Sequence, residues 1–366
     1  MGAAALWRLA SRGARVLGLE QFTPGHARGS SHGQTRLIRQ AYFEHPDYVP
    51  LLRRAYALWH ELQTDAPVRL LEPTGLVIWG PPEGGRVLPG VISSAQAHGV
   101  PIELLNADEA SRRFPLHRPP AGYRAVWEPG AGFLRAEACV SAMVQAAEQQ
   151  GAQVHYGAQV THWQADGAGV AVEVGGQTVR AARLILAQGA WSGPVLRDLG
   201  ASLNVRRNAL VWLRSLPQHQ LDRGAPCFAF DLPAGFYYGF PALDSLGVKA
   251  ALHAPGLPVL DVDTPDLPPE LADAADVRAF AGECLAGVGP EVSQVVTCRY
   301  ELSPDDHFVV DLHPHWPQVV VAGGFSGHGF KFAPVIGEAL ADLALVGASP
   351  LPIGFLAARR FASQLS

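Results

Sequence analysis

The first twenty residues, MGAAALWRLASRGARVLGLE, constrain the fold more than any other stretch. Ala3, Leu6, Trp7 and Ala10 recur at three- and four-residue spacing, which predicts a helix over residues 2–12 that Gly13 closes as a C-cap. Residues 14–20, ARVLGLE, then predict a short apolar strand closing on an acid. A helix, a strand and Glu20, 18 residues beyond Gly2, read as the second half of a dinucleotide-binding βαβ unit, in which that acid meets a ribose. Taken alone, Glu20 reads equally well as a solvated acid at a strand end. The unit's first strand and the first two glycines of its G-x-G-x-x-G turn have no counterpart, so that Gly2 stands where the third glycine would. Either the start codon was placed too late, or the chain is a shortened product that holds its nucleotide weakly.

The same alternation returns later. Residues 47–63 and 136–150 read as helices, the second capped by Gly151, and residues 183–191, RLILAQGAW, as a buried strand entering a glycine turn. Between about 206 and 300, short apolar and aromatic runs separated by Pro, Gly and Asp predict antiparallel strands, interrupted by a loop at 255–272 and a helix-like stretch at 273–286. Residues 307–325 predict two strands joined by a Pro/His turn, and 334–346 a closing helix. The expected class is α/β, or α+β overall: a Rossmann-like nucleotide domain made of residues 1–66, 135–205 and 296–366, carrying an antiparallel β-rich substrate domain of residues 67–134 and 206–295.

Composition narrows the function. With 48% apolar and 17% charged residues the chain can bury a large core, and a net charge of −5 without a basic stripe argues against a nucleic-acid partner. No run of about 18 apolar residues predicts a membrane span. The N-terminus lacks the layout of a targeting peptide, because Arg8 and Arg12 interrupt its apolar run. Four scattered cysteines indicate no disulfide framework, which fits a reducing, cytoplasmic setting and a monomer. His307, His313 and His315 flank a proline turn without the ligand set of a metal site, so no metal is expected.

Only two of the 28 basic residues are lysines, Lys249 and Lys331. Surface positive charge is otherwise assigned to arginine, and an ammonium differs from a guanidinium in being a compact charge with a tunable pKa. Lys331 sits in GGFSGHGFKF, residues 323–332, behind four glycines and a histidine. Two surface lysines left by chance are the plain alternative.

From residue 29, the segment GSSHGQTRLIRQAYFEHPDYVPLLRRAYALWHEL resembles the flavin amine oxidases of the monomeric sarcosine oxidase and N-methyltryptophan oxidase family. Five further segments are similar to that family in the same order: the Gly151-capped helix, GAW at 189–191, YGFP at 238–241 with Lys249 and His253 after it, CRYELSPDDHF from Cys298, and the GFSGHGFKF loop.

The resemblance implies FAD, bound through Gly2, Glu20, Thr35, Arg36, Val160, Gly189, Trp191, Gly327, Gly329 and Lys331, and attached covalently at Cys298. It implies that Arg39 and Lys331 clamp a substrate carboxylate and that Tyr238 and Tyr300 line the pocket. His253 would border the amine and His328 the flavin and substrate, while Arg36 places a cation at the flavin and Lys249 promotes reaction with oxygen. The glycines around Lys331 would let substrate and flavin approach the backbone. On the residues alone, Cys298 reads as a small buried hydrophobe, His253 as a hydrogen-bonded structural histidine and the tyrosines as core residues. Phe230, Phe236 and Tyr237 would make the pocket larger than sarcosine needs. The implied reaction is oxidation of a secondary-amine α-amino acid to an imine, with oxygen becoming hydrogen peroxide. The alternatives are a dehydrogenase of the same fold and a flavin-free binding protein.

Overall fold

A computed structural model describes residues 1–253 and 256–364, so the first residue of the 255–272 loop and the last two of the 296–366 segment lie outside the described residues. The opening helix spans Gly2–Ala10 and is followed by Gly13 at φ +75°. It buries Ala4, Leu6 and Trp7 and packs against the helices Ala136–Gln149 and Ala333–Val346. Approach to the latter is close enough that a Cβ on Gly337 would lie 2.5 Å from the Ala4 backbone, so this contact requires glycine.

Outside the large central sheet, in which Cys227–Leu232 runs parallel to Leu76–Gly80, the parallel strands come in two pieces. Leu17–Glu20 pairs with Gln153–Tyr156, and Leu184–Leu186 pairs with Val319–Gly323, which Val309–Leu312 then joins antiparallel. The strand expected over 183–191 therefore stops at Leu186, and Gly189–Ser192 turns into a 3-10 helix that leads to the Gly193–Asp198 helix. Gly189, at φ +57°, makes that turn.

The centre of the molecule is a nine-stranded sheet. Asn204–Ser215 pairs with the long strand Val288–Leu302 and with Val248–His253, and the order continues through Gly235–Phe240, Cys227–Leu232, Leu76–Gly80, Arg124–Glu128 and Glu103–Leu105. Alternation along these strands sends successive side chains to opposite faces. One face, with Trp79, Phe228, Phe230 and Tyr237, closes on the helix Ala275–Cys284 through Phe280. The other carries Trp212, Lys249, Tyr238, Cys298 and Tyr300. Thr35–Ile38, paired with Gly132–Arg135, carries the segment that meets this second face.

Candidate active site

Lys249 stands opposite Trp212 on one neighbouring strand and Phe240 on the other. Its Nζ lies 5.2 Å from the Trp212 ring and 4.8 Å from the Phe240 ring, and the residue is 2% exposed. It donates to the carbonyls of Gly33 (2.5 Å) and Thr35 (2.9 Å) and to Thr35 Oγ1 (3.0 Å). Burial and then Arg36 pull its pKa well below the ordinary lysine value, opposed by Cys298, Glu137 and Cys227. Three acceptors match the three N–H bonds of an ammonium, so the cage is built for the charged form. The turn that presents those oxygens needs Gly33 at φ +84° and Gln34 at φ +66°. Glu137 holds it by accepting from the Gly33 amide (2.6 Å), and Gln34 accepts from Trp212 Nε1 (2.9 Å).

Arg36 donates to the carbonyls of Thr35 and Ser30, each at 2.8 Å, and to Cys298 Sγ at 3.4 Å. Burial opposes its charge, but Cys298, Tyr238 and Tyr300 outweigh burial and raise its pKa. Cys298, 2% exposed, is paired with Asn208 across the sheet. The Tyr300 hydroxyl lies 3.4 Å from both the Tyr238 hydroxyl and His253 Nδ1. Burial lowers the His253 pKa, and Glu44, Lys331 and Arg39 are the next influences on it.

Those three charges form a second cluster. Arg39 Nη2 donates to both Glu44 oxygens (2.8 and 2.7 Å) and Nη1 to the Ala41 carbonyl (2.9 Å), while the guanidinium lies over the Tyr42 and Phe43 rings. Burial resists ionisation of Glu44, yet Arg39, His328 and Lys331 hold its pKa at about 2. Lys331 Nζ donates to the His328 carbonyl (2.7 Å) and to the Tyr42 hydroxyl (3.5 Å), which leaves one N–H uncommitted among the described residues. Burial and Arg39 bring its pKa down to about 7. His328 Nε2 donates to the Asp306 carbonyl (3.0 Å), so Nδ1 accepts from the Tyr42 hydroxyl at 2.6 Å. Burial pushes the His328 pKa down to about 3, and the ring is neutral.

The structure therefore brings Thr35, Arg36, Tyr238, Lys249, His253, Cys298 and Tyr300 into one group, with Arg39, His328 and Lys331 adjoining. Tyr42 and Glu44 belong to the same site and went unread in the sequence, although an acid five residues after an arginine assigned to a carboxylate was a usable signal. Phe230 and Tyr237 do not line the pocket. Phe230 is fully buried against His117 and Phe280, and Tyr237 stacks on Phe280 at 4.5 Å, because strand alternation turns both to the opposite face. Only Phe236, near His253 and Phe43, stays beside the site. The glycines of the lysine loop are also used differently from the expectation. A Cβ on Gly327 would fall 2.3 Å from the Tyr300 ring and one on Gly329 2.6 Å from Phe325, so they admit protein side chains.

Gly2 and Gly189 each face open space, with nothing within 4 Å of a built Cβ. Glu20 accepts from the Phe22 amide at 2.8 Å, and Trp191 Nε1 donates to Asp263 at 2.7 Å. Val160 begins a half-exposed strand. Among the described residues nine buried side-chain polar atoms have no partner, and three of them lie here: His32 Nε2, Ser192 Oγ and Glu301 Oε2. Open glycines at two turns and orphaned polar atoms near Arg36, Gly323 and the lysine loop fit a large polar cofactor lying between them. Among the described residues the non-glycine positions with positive φ, Gln34, Asp306 and Ser326, all border this region, where stored strain is characteristic of functional sites.

Two parallel strand pairs beside a large, mostly antiparallel sheet with buried cations at one face can hold a redox cofactor, and the class of protein is a flavin-dependent oxidoreductase. The chain matches the family model for FAD dependent oxidoreductases over residues 1–343 and belongs to that family. It is 40% identical to a monomeric sarcosine oxidase of Streptomyces avermitilis, over 99% of this chain and 96% of the relative. It is 32% identical to an N-methyl-L-tryptophan oxidase of Yersinia pestis, over 99% and 96%. The solved structure of NikD, described as an unusual amino acid oxidase essential for nikkomycin biosynthesis, superposes with a TM-score of 0.83 at 26% identity, covering 97% of this chain and 94% of that one.

Proposed function

We propose that this FAD-dependent oxidoreductase oxidises a secondary-amine α-amino acid, of the sarcosine or N-methyltryptophan kind, to an imine, and passes the electrons to oxygen to give hydrogen peroxide. The observation that carries the reading is that both lysines are buried, at 2% and 6% exposure, and neither has a carboxylate partner among the described residues. An unpaired buried cation costs several kcal/mol, and an anionic ligand or intermediate offsets that cost. The relatives named as oxidases of N-methyl amino acids support the same substrate class.

Arg39 and Lys331 receive the substrate carboxylate, Lys331 through its free N–H and Arg39 by yielding part of its fork from Glu44. Tyr42 holds Lys331 and is itself oriented by neutral His328. Tyr238, Tyr300 and His253 form the wall against which the amine rests, and burial, which lowers the His253 pKa, favours a neutral ring that can hydrogen-bond the amine. FAD, when bound, supplies the two-electron acceptor. Gly2, Glu20, Thr35, Arg36, Val160, Gly189 and Trp191 border its place. Cys298, with an Arg36 N–H on its sulfur, is the residue that forms the covalent attachment. Lys249 has all three N–H bonds committed, so it contributes charge rather than contact, stabilising the anion formed as oxygen takes its first electron. We divide the chain accordingly, with residues 1–66, 135–205 and 296–366 carrying the cofactor and 67–134 and 206–295 the substrate.

The test is a peroxide assay under air across sarcosine, N-methyltryptophan, cyclic imino acids and their primary-amine counterparts. Peroxide with secondary amines only is expected. Turnover of those substrates with a dye but without peroxide would make the protein a dehydrogenase.

A further inference from the structure

On the opposite side of the large sheet from the lysines, a cavity of about 180 Å³ opens between the end of the Ala107–Arg113 helix and the turn at Gly224. Its walls include Phe114, Pro226 and Phe228, and two imidazoles, His117 and His219, face it. Both rings are more than nine-tenths buried, at 8% and 4% exposure. The chain that places them is the same short segment: His117 forms an isolated bridge with Leu285, and His219 bonds the neighbouring Ala286 carbonyl.

The hydrogen bonds fix both tautomers. Trp79 Nε1, which can only donate, gives its proton to His117 Nδ1 at 3.0 Å, so neutral His117 carries hydrogen on Nε2. His219 Nε2 lies 2.7 Å from the Ala286 carbonyl, which can only accept, so Nε2 carries the proton and Nδ1 is an acceptor. His117 Nε2–H and His219 Nδ1 have no protein partner among the described residues. The cavity thus contains one free donor and one free acceptor between aromatic and proline walls. A metal is excluded by the same tautomers, because a ligating Nε2 on His117 would force hydrogen onto Nδ1 against the Trp79 N–H.

We propose that this cavity is a second small-molecule site, taking a planar, ring-sized compound with a carboxamide edge. The amide oxygen accepts from His117 Nε2–H, the amide N–H donates to His219 Nδ1, and the ring lies among Phe114, Pro226 and Phe228. The volume suits such a ligand, since a cavity of roughly 150 Å³ takes benzene. A carboxylate would bring a second acceptor against His219 Nδ1. Arg113 and Arg223 also line it, but both are exposed and Arg113 is paired with Glu103 at 2.6 Å, so they draw anions only weakly through solvent.

Benzamide and benzoate are titrated into the flavin-loaded protein at pH 7.5, following heat, Trp fluorescence and flavin absorbance together. Benzamide is expected to bind with a fluorescence change and no flavin shift, and at least about tenfold more tightly than benzoate at this site. His219→Ala is expected to weaken it about tenfold. Ala225→Trp, which puts a bulky side chain on a lining residue of the cavity and replaces neither imidazole, is expected to abolish it, and this variant decides the matter if His219→Ala does not fold. The proposal is overturned by no benzamide binding, by benzoate binding as tightly without a flavin shift, or by undiminished benzamide binding to Ala225→Trp.

Discussion

Lys249 and Lys331 differ in what their N–H bonds have left to give. Lys249 is saturated by Gly33 and Thr35, so Lys249→Met removes charge without removing a substrate contact. The expected outcome in stopped-flow is anaerobic flavin reduction by substrate within a few-fold of the parent, with reoxidation by oxygen slower by about two orders of magnitude or more. Equal loss in both halves would make Lys249 a substrate ligand. Lys331, with a pKa of about 7, is cationic below neutrality and neutral above it. Association of a carboxylate ligand should therefore weaken as pH rises above 7, and Lys331→Met should bind weakly at every pH without that slope. Binding that is flat from pH 6 to 9 in the parent would show that Arg39 alone carries the carboxylate. At this scale the sequence showed the cations and the cysteine, because each is a rare residue in a distinctive segment. It did not show Tyr42 or Glu44, whose roles depend on a turn that folds them back onto Lys331 and Arg39, nor that Phe230 and Tyr237 point away.

Elements were legible where apolar spacing was strong and faint where it was not. Tyr48–Gln63, Ala136–Gln149 and Ala333–Val346 lie where helical spacing put them. The strands Gln153–Tyr156, Val160–Asp166 and Gln177–Ala181 are mostly exposed and offered no apolar run to read, whereas Gly169–Val174 between them buries Val170, Ala171 and Val172. Ala107–Arg113 was missed despite its signal: Asn106 and Glu109 form a reciprocal capping box, each bond at 3.0 Å. In the lysine loop, Gly327→Ala must accommodate both φ +77° and a Cβ 2.3 Å from Tyr300. A stability loss above about 1 kcal/mol in urea unfolding is expected, with substrate affinity falling as Tyr300 moves; parental stability would mean that the loop shifts freely. Glu301, on the Val288–Leu302 strand, has its pKa raised by burial from 4.5 to about 7. Between those values the folded chain binds the proton and the unfolded chain does not, so stability is present below pH 4.5 and is lost as pH rises through 7, by about 3 kcal/mol. Glu301→Gln should flatten that slope, and an unchanged pH–stability curve would place the slope in other groups.

Across the whole molecule, the site forms where the large sheet meets the segment after Thr35 and the loop before Ala333. Lys249 and Cys298 come from the two strands that flank Asn204–Ser215 in that sheet, Arg36 and Arg39 from the short Thr35–Ile38 strand and the residue after it, and Lys331 from the far end of the chain. The two parallel pieces bear Glu20 and the Gly189 turn on the other side. A flavin joined to Cys298 would therefore tie the large sheet to the parallel pieces through the cofactor. In that case unfolding cannot release the flavin, and free FAD adds no stability. With an ordinary noncovalent ligand, stability rises with the logarithm of free ligand above the dissociation constant. The parent protein should keep yellow flavin through acid precipitation and denaturing electrophoresis, with a melting temperature independent of added FAD. Cys298→Ala should release its flavin on denaturation and should melt at a temperature that climbs as FAD is added. Flavin that washes out of the denatured parent would reduce Cys298 to a packed core residue, leaving Arg36 and Lys249 to act on a cofactor held by contacts alone.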